Sequence, residues 1–237
     1  MFTTGAALGA AGAIAMAYQV RGRSASLLAP SYYCGSPNRR TIALTFDDGP
    51  GPGSVELLSA LSEYSVSATF FQCGWHVRRN PALAREIAAA GHEIANHTDT
   101  HPLLCFHSSQ FITDQLERAQ ESLQAATGQT PRWFRAPYGV RWFGLAAAQR
   151  ACGLTNVMWT AIALDWKLPE QQIAERLRTR ARNGAIFCLH DGRGLQPDPD
   201  IRATIGAVKR LLPALLADGY QFETVSQILC PTTSKPA

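Results

Sequence analysis

The feature that most constrains this chain is an alternation of short β-rich runs with helical segments, repeated over residues 41–223. Antiparallel neighbours can be joined by tight turns, whereas parallel strands need a longer crossover that is usually a helix. A helical segment follows almost every β-rich run here. The pattern therefore predicts an α/β domain built on a parallel sheet.

The predicted elements are short and fill the chain without a long gap. The strands cover residues 41–46, 67–71, 92–96, 132–134, 155–159, 185–189 and 221–223. The helices cover residues 53–63, 81–90, 109–126, 143–151, 169–182 and 200–217. Both a small (β/α) barrel and an open doubly wound sheet fit this pattern, and both place their ligand site at the carboxyl ends of the strands.

Composition excludes several classes of protein. The chain has 237 residues, of which 46% are hydrophobic and 17% charged, so a single folded domain with a large core is expected. The net charge of +4 comes from scattered arginines, which excludes the clustered basic footprint of a nucleic-acid binder. Six cysteines form no CxxC pair, which excludes a zinc ribbon and a thioredoxin motif.

The first 22 residues form an apolar leader that has no charged side chain before Arg21. A membrane span needs about 20 apolar residues, so residues 5–20 are a candidate for membrane association. Arg21 and Arg23 follow the apolar stretch, the reverse of a secretory signal. The alternatives are a membrane anchor, a signal truncated at its start, and a disordered or loosely helical leader. The predicted division is a leader over 1–22, a linker over 23–39, a main domain over 40–230 and a tail over 231–237.

Two carboxylates, Asp47 and Asp48, follow the first predicted strand in the sequence TFDDGPG over residues 45–51. Adjacent side chains of a strand point to opposite faces, so both reach one site only if the Gly/Pro turn redirects them. A purely structural role as turn former or helix cap is the alternative for this pair.

His97 and His101 are four residues apart, a spacing that lets two imidazoles bind one metal ion. Pro102 disfavours a continuous helix at this point, so a loop or a single turn is expected. One added aspartate would give two His and one carboxylate, a set that leaves positions open for water and is typical of catalytic metals.

Three more polar residues end predicted strands or follow them closely. Arg135, in RAPY over 135–138, can hold a carboxylate in a fixed orientation; the alternative is a surface arginine beside a proline turn. Asp165 and His190 form a candidate pair in which the acid raises the pKa of the imidazole. Without that partner, His190 would be an ordinary core histidine.

Taken together, these motifs resemble the polysaccharide deacetylase family, which is carbohydrate esterase family four and carries the chitooligosaccharide deacetylase homology domain. The resemblance covers about residues 40–229 and is most specific in TFDDGP and HTxxH, with support from RAPY and LHD. It departs from the family before Asp165-Trp166, where Ile162-Ala163-Leu164 replaces a stretch that usually carries an extra Asp or Asn. The resemblance implies a distorted (β/α) barrel with seven or eight parallel strands.

The same resemblance implies a role for each motif residue. It implies that Asp48, His97 and His101 bind one divalent metal ion, zinc or, as the alternative, cobalt. Asp47 would be the base, kept ionised by Arg135, and His190, held protonated by Asp165, would donate a proton to the leaving amine. The oxyanion would be stabilised by the metal and the Tyr138 N–H. Contacts with the substrate are expected from Trp166, Leu189 and Tyr138.

The activity implied is hydrolysis of acetyl groups from N-acetylglucosamine units of peptidoglycan, chitin or a related glycan. The expected partner is therefore an acetylated polysaccharide or oligosaccharide, and the expected location is the cell envelope, periplasmic or extracellular. Two alternatives stay open: an O-acetyl esterase acting on xylan-like sugars, and a non-catalytic glycan-binding pseudoenzyme.

Overall fold

The computed structural model describes residues 2–230, with side chains described from residue 11 onward. The predicted tail over 231–237 lies outside the described residues. The strands are β1 Ser31–Tyr32, β2 Thr41–Asp47, β3 Thr69–Gln72, β4 Glu93–Asn96, β5 Trp133–Phe134, β6 Thr155–Val157, β7 Ala161–Ile162, β8 Ala185–His190 and β9 Gln221–Phe222. The helices are α1 Phe2–Arg21, α2 Ser54–Glu63, α3 Gly74–Arg79, α4 Pro81–Ala89, α5 Ser109–Thr127, α6 Leu145–Ala151, α7 Glu170–Arg178, α8 Arg202–Ala217 and α9 Val225–Leu229, with a 3-10 turn at Pro137–Gly139.

The strands form one parallel sheet in the order β1-β6-β5-β4-β3-β2-β8-β7, and the short β9 pairs with the start of β2. In a flat sheet, β6 and β7 would be about 29 Å apart, six strand spacings of about 4.8 Å. Only residues 158–160 connect them. Four residue steps reach at most about 14 Å, so the sheet must curl until its ends meet. The predicted distorted (β/α) barrel is confirmed.

Side chains of the central strand β2 alternate between two buried layers. The side chains at its even-numbered positions pack into the large core between the sheet and the helices, and these are Ile42, Leu44 and Phe46. Ala43 belongs to a second cluster, with Phe71, Ala95 and Ile186 from neighbouring strands and Val225 from α9. Because successive side chains point to opposite faces, Thr45 and Asp47 share the face of Ala43. The barrel interior therefore receives the polar end of β2.

The predicted linker over 23–39 is corrected by the structure, because part of it is packed into the domain. Ser31–Tyr32 pairs in parallel with β6, and Ala25, Leu28 and Ala29 are buried. Burial of these apolar side chains stabilises the segment against the barrel. A two-residue strand is too short to give a periodic signal, so the sequence pattern missed it.

The predicted leader forms the helix α1. Within residues 2–230, no helix combines the length and the apolar character that a membrane crossing requires.

The predicted strand over 155–159 ends earlier, as β6 at Val157, and the unpredicted strand β7 begins after Thr160. The Thr160 N–H and hydroxyl both donate to the Ile186 carbonyl at 2.8 Å. Before Thr160 the chain pairs with β5, as β6, and after Thr160 it pairs with β8, as β7. Helix α3 was not predicted, because Gly74 and Trp75 open it with no N-cap signal in the sequence.

Candidate active site

Asp47 and Asp48 occupy the junction between β2 and the turn that follows it. Asp47 is the last residue of the strand, and Asp48 has a φ of 75°, in the left-handed region. This conformation is uncommon for residues other than glycine, although aspartate tolerates it better than most. The reversal brings the two neighbouring carboxylates into the same cavity.

Asp48, His97 and His101 form a compact group of three potential metal ligands. Asp48 Oδ1 lies 3.1 Å from Nε2 of His97 and 3.1 Å from Nε2 of His101. His97 directly follows β4, and His101 lies in the loop beyond it with a φ of 53°. The two histidines therefore converge from a loop rather than from a helix face.

The chemistry of this group fits a divalent metal ion. Asp48 Oδ1 is buried and, within the described part of the chain, accepts no hydrogen bond, while Oδ2 accepts the Gly194 N–H at 2.9 Å. The His97 Nδ1–H donates to the Arg135 carbonyl at 2.8 Å, which leaves the Nε2 lone pair directed at Asp48. Separations of 3.1 Å are those expected between ligand atoms of one ion with bonds of about 2.0–2.2 Å.

Asp47 is held by the fully buried Arg135. The Arg135 guanidinium donates to Asp47 Oδ1 at 2.6 Å, to the Thr45 hydroxyl at 2.7 Å and to the Val157 carbonyl at 2.9 Å. It also lies over the Phe71 ring at 4.1 Å. A charge buried this deeply needs a partner and full hydrogen bonding, and Asp47 provides the opposite charge.

His190 is paired with the buried carboxylate of Asp165. Asp165 Oδ1 accepts the His190 Nδ1–H at 2.8 Å, and Oδ2 accepts both the His190 backbone N–H and the Thr204 hydroxyl at 2.8 Å. Burial disfavours the imidazolium, but the negative charge and hydrogen bond of Asp165 outweigh it and raise the pKa of His190 to about 9. His190 is therefore protonated at neutral pH.

One cavity of about 530 Å³ is lined by Asp47, Asp48, His97, His101 and His190, whereas Arg135 and Asp165 are not among its lining residues. Tyr138 lies at its rim with a φ of 59°, and its ring packs edge-on against His101 with centroids 4.8 Å apart. Across residues 2–230 no acceptor binds the Tyr138 N–H. Trp166 is 49% exposed and packs edge-on against His190 with centroids 5.1 Å apart. The cavity thus combines a candidate metal group, an ion-paired carboxylate and a charged imidazole.

The chain resembles known proteins over most of its length. A family model described as polysaccharide deacetylase matches residues 35–157. Over 198 residues the chain is 35% identical to the chitooligosaccharide deacetylase of Bradyrhizobium sp. strain ANU 289, a match covering 80% of this chain and 90% of the relative. The chain belongs to the polysaccharide deacetylase family.

Solved structures show the same family relation. The Bc1960 peptidoglycan N-acetylglucosamine deacetylase superposes with a TM-score of 0.80 at 26% identity, covering 86% of this chain and 95% of that one. BA3943 of Bacillus anthracis, described as a CE4 family pseudoenzyme, superposes with a TM-score of 0.76 at 28% identity, covering 84% and 68%.

One predicted substrate contact is corrected by the structure. Leu189 is fully buried in the large core between sheet and helices and does not line the cavity. Side chains alternate along β8, so His190 and Cys188 share the face that Leu189 cannot reach. Cys188 lines the cavity instead and donates its S–H to Asp47 Oδ2 at 3.4 Å.

Sequence reasoning also missed other residues that line the cavity. These are Arg21, Ala136, Gly139, Trp159, Ile162, Arg193, Gly194 and Gln196, besides Cys188. Cys188 could have been predicted as a cavity residue, because side chains alternate along β8 and Cys188 is two residues before His190. Ile162 belongs to the two-residue strand β7 and Gly139 to the 3-10 turn, and the others lie on loops or on the N-terminal segment. None of these places gives a periodic signal.

The burial of Leu189 makes a prediction about stability. Leu189→Ala should lower the free energy of unfolding by about 2–5 kcal/mol, because it leaves a cavity in the core. Cys188→Ala should cost only about 1 kcal/mol, because fewer atoms are removed. Urea unfolding followed by circular dichroism measures both values. Losses of equal size, or a negligible loss for Leu189→Ala, would contradict the placement of Leu189 in the core.

Proposed function

We propose that this protein is a metal-dependent hydrolase that removes N-acetyl groups from N-acetylglucosamine-containing glycans of the cell envelope. One observation carries the proposal: a single cavity holds three metal-ligand side chains, an ion-paired carboxylate and an imidazole protonated at neutral pH. Amide hydrolysis needs these groups, because water must lose a proton and the amine must gain one. The deacetylase relatives act on chitooligosaccharide and peptidoglycan, as their names state.

Zinc is the proposed metal, held by Asp48, His97 and His101. When bound, it would supply Lewis-acid polarisation of the acetyl carbonyl and acidify the attacking water. Two imidazoles and one carboxylate suit zinc and leave coordination positions open. The hydrogen bond from His97 to the Arg135 carbonyl fixes the tautomer that ligation requires.

Asp47 is the proposed base. Its Oδ1 is bound by Arg135 and its Oδ2 faces Cys188, so the carboxylate has one fixed orientation at the cavity wall. Arg135 is itself immobilised by Thr45 and Val157. A base held in this way requires no reorientation before it accepts the proton of water.

His190 is the proposed acid, and Asp165 its positioning partner. Because the pKa of His190 is raised to about 9, the imidazole carries the proton that the departing amine needs. The Tyr138 N–H, which lies at the cavity rim, is the proposed donor to the oxyanion. Trp166, against the His190 ring, is proposed to contact the sugar.

A strongly basic His190 favours N-acetyl over O-acetyl substrates, because an alkoxide leaves with less help from an acid. Acetate release should be compared on N-acetylated chitooligosaccharides, peptidoglycan and acetylated xylan. A higher rate on xylan would assign an O-acetyl esterase instead. No release from any of them, with zinc bound, would leave a glycan-binding pseudoenzyme, the class to which the relative BA3943 is assigned.

Activity should depend on the metal. Chelation should abolish acetate release, and zinc or cobalt should restore it. His101→Ala should lower the zinc content below the expected one ion per chain, because every ligand lost weakens the site. Elemental analysis after dialysis measures the zinc content. Full activity of metal-free protein would refute the proposed mechanism.

Substitutions at the adjacent residues Asp47 and Asp48 should affect base catalysis and metal binding separately. Asp47→Asn should keep the zinc content and lower kcat by about 10²–10⁴-fold, the range typical of a lost general base. Asp48→Asn should lose zinc as well as activity. Thermal unfolding of both variants is the control, since Asp47→Asn leaves Arg135 without its counter-charge. Equal loss of zinc in both variants would show that the two roles are assigned wrongly.

The pH profile of kcat/KM should be bell-shaped. His190 acts in its protonated form, so activity is lost as pH rises through its pKa, which is about 9. Asp165→Asn removes the charge that raises this pKa and leaves burial, which lowers it. The alkaline limb should therefore move to lower pH, while the acidic limb stays nearly in place. An unchanged alkaline limb would show that another group controls it.

A comparison of leaving groups checks the same residue. His190→Ala should slow N-acetyl amides far more than aryl acetates, because an aryl oxide departs without protonation. Equal slowing of both substrates would assign His190 a structural or oxyanion role.

A further inference from the structure

The N-terminal segment is fixed against the catalytic cavity by one buried side chain, Arg141. Arg141 NH1 donates to the Ala25 carbonyl at 2.6 Å, and NH2 donates to the Gly22 carbonyl. The Arg141 backbone N–H also donates to the Val20 carbonyl at 2.9 Å. Arg141 is fully buried, and these carbonyls accept hydrogen bonds from both of its terminal NH groups, while its Nε–H has no acceptor among the described residues. Residues 20–25 are therefore held in place beside the cavity.

This anchored segment forms the wall of a second cavity. The second cavity has a volume of about 520 Å³ and shares Arg21 and Trp159 with the catalytic cavity. Its other lining residues include Tyr18, Arg23 and Met158. Because Arg21 and Trp159 line both cavities, the second cavity adjoins the catalytic cavity.

The second cavity has a positive charge that nothing in the described chain neutralises. Arg21 and Arg23 both line it, and no acidic side chain does. Neither arginine makes a salt bridge to any residue between 2 and 230. Arg23 NH1 donates to the Thr160 carbonyl, which orients its guanidinium. Two unpaired guanidinium groups beside two aromatic rings are suited to a planar anion on a sugar.

We propose that the second cavity is a subsite for a carboxylate-bearing sugar that adjoins the acetylated sugar in the glycan. Arg21 and Arg23 bind the carboxylate, and Trp159 and Tyr18 pack against the ring. The proposal rests on the proposed function and narrows its substrate to an acidic glycan. An anionic lipid surface is less consistent with the structure, because Arg21 lines the cavity that holds Asp47 and His101.

The test compares Arg21→Gln/Arg23→Gln with Arg118→Gln/Arg180→Gln, which removes the same charge from exposed positions outside both cavities. The substrates are a peptide-free oligosaccharide of alternating N-acetylglucosamine and N-acetylmuramic acid, its carboxyl-reduced derivative, and neutral chitotetraose. The cavity variant should lower the kcat/KM ratio of the acidic glycan to chitotetraose by about tenfold, mainly through KM. The control variant should keep the wild-type ratio.

Two further measurements do not depend on the variants. The wild type should prefer the acidic glycan to its carboxyl-reduced derivative. Its KM for the acidic glycan should rise with sodium chloride more steeply than its KM for chitotetraose, because salt screens the ion pairs. A ratio unchanged by the cavity variant, or equal preference for the reduced glycan, would overturn the proposal. Loss of binding to phosphatidylglycerol vesicles with an unchanged glycan ratio would assign the arginines to a membrane surface instead.

Calorimetry with Asp47→Asn protein separates this proposal from the proposed function. Tighter binding of the acidic glycan than of the reduced one, without turnover of any glycan by the wild type, would support the subsite and refute the hydrolase. Normal turnover without charge selectivity would refute the subsite alone.

Discussion

The buried ion pair between Arg135 and Asp47 is the interaction on which the rest of the site depends. Arg135 is inaccessible to solvent, and a buried guanidinium without a partner would destabilise the fold by several kcal/mol, on the order of 3–5. The same residue accepts the His97 Nδ1–H through its backbone carbonyl. Arg135, which directly follows β5, thus orients the proposed base by its side chain and one proposed metal ligand by its main chain. Replacing it would disturb both functions together.

The site also depends on backbone conformations that the surrounding structure must impose. Asp48, His101 and Tyr138 all have positive φ, at 75°, 53° and 59°. Such residues cost of order 1–3 kcal/mol each and persist where packing determines them, which is common at active sites. Here each conformation changes the direction of the chain after a strand or within a loop. The result is that two proposed metal ligands, Asp48 and His101, and the residue Tyr138 line the same cavity.

The sequence alone was enough to predict which motif residues lie together, but not which residues form the walls of the cavity around them. Asp47, Asp48, His97, Arg135, Asp165 and His190 are all at or just beyond strand ends, and parallel strands bring such ends to one edge. The prediction for Leu189 was wrong because side chains alternate along β8, so Cys188 rather than Leu189 shares the cavity face with His190. Arg21 and Trp159 could not be predicted, because their positions follow from Arg141 and from the curling of the sheet. Neither the anchoring by Arg141 nor the curling of the sheet produces a local periodic signal in the sequence.

Strand register explains why the proposed base and the proposed acid can act on one bond. β2 and β8 are adjacent parallel strands, and Asp47 is the registered partner of His190. Registered partners on neighbouring parallel strands project from the same face about 4.8 Å apart. Their charges are opposite, yet each is bound more closely by its own partner, Arg135 for Asp47 and Asp165 for His190. Arg135 and Asp165 thus hold the two side chains in separate ion pairs on the same face of the sheet. A slip of one residue between β2 and β8 would place Leu189 opposite Asp47 and remove the acid from the cavity. The hydrophobic pattern of both strands prevents that slip, since it would expose the core face of β8 to the polar interior. The packing of the sheet is therefore what sets the distance between the two reacting groups.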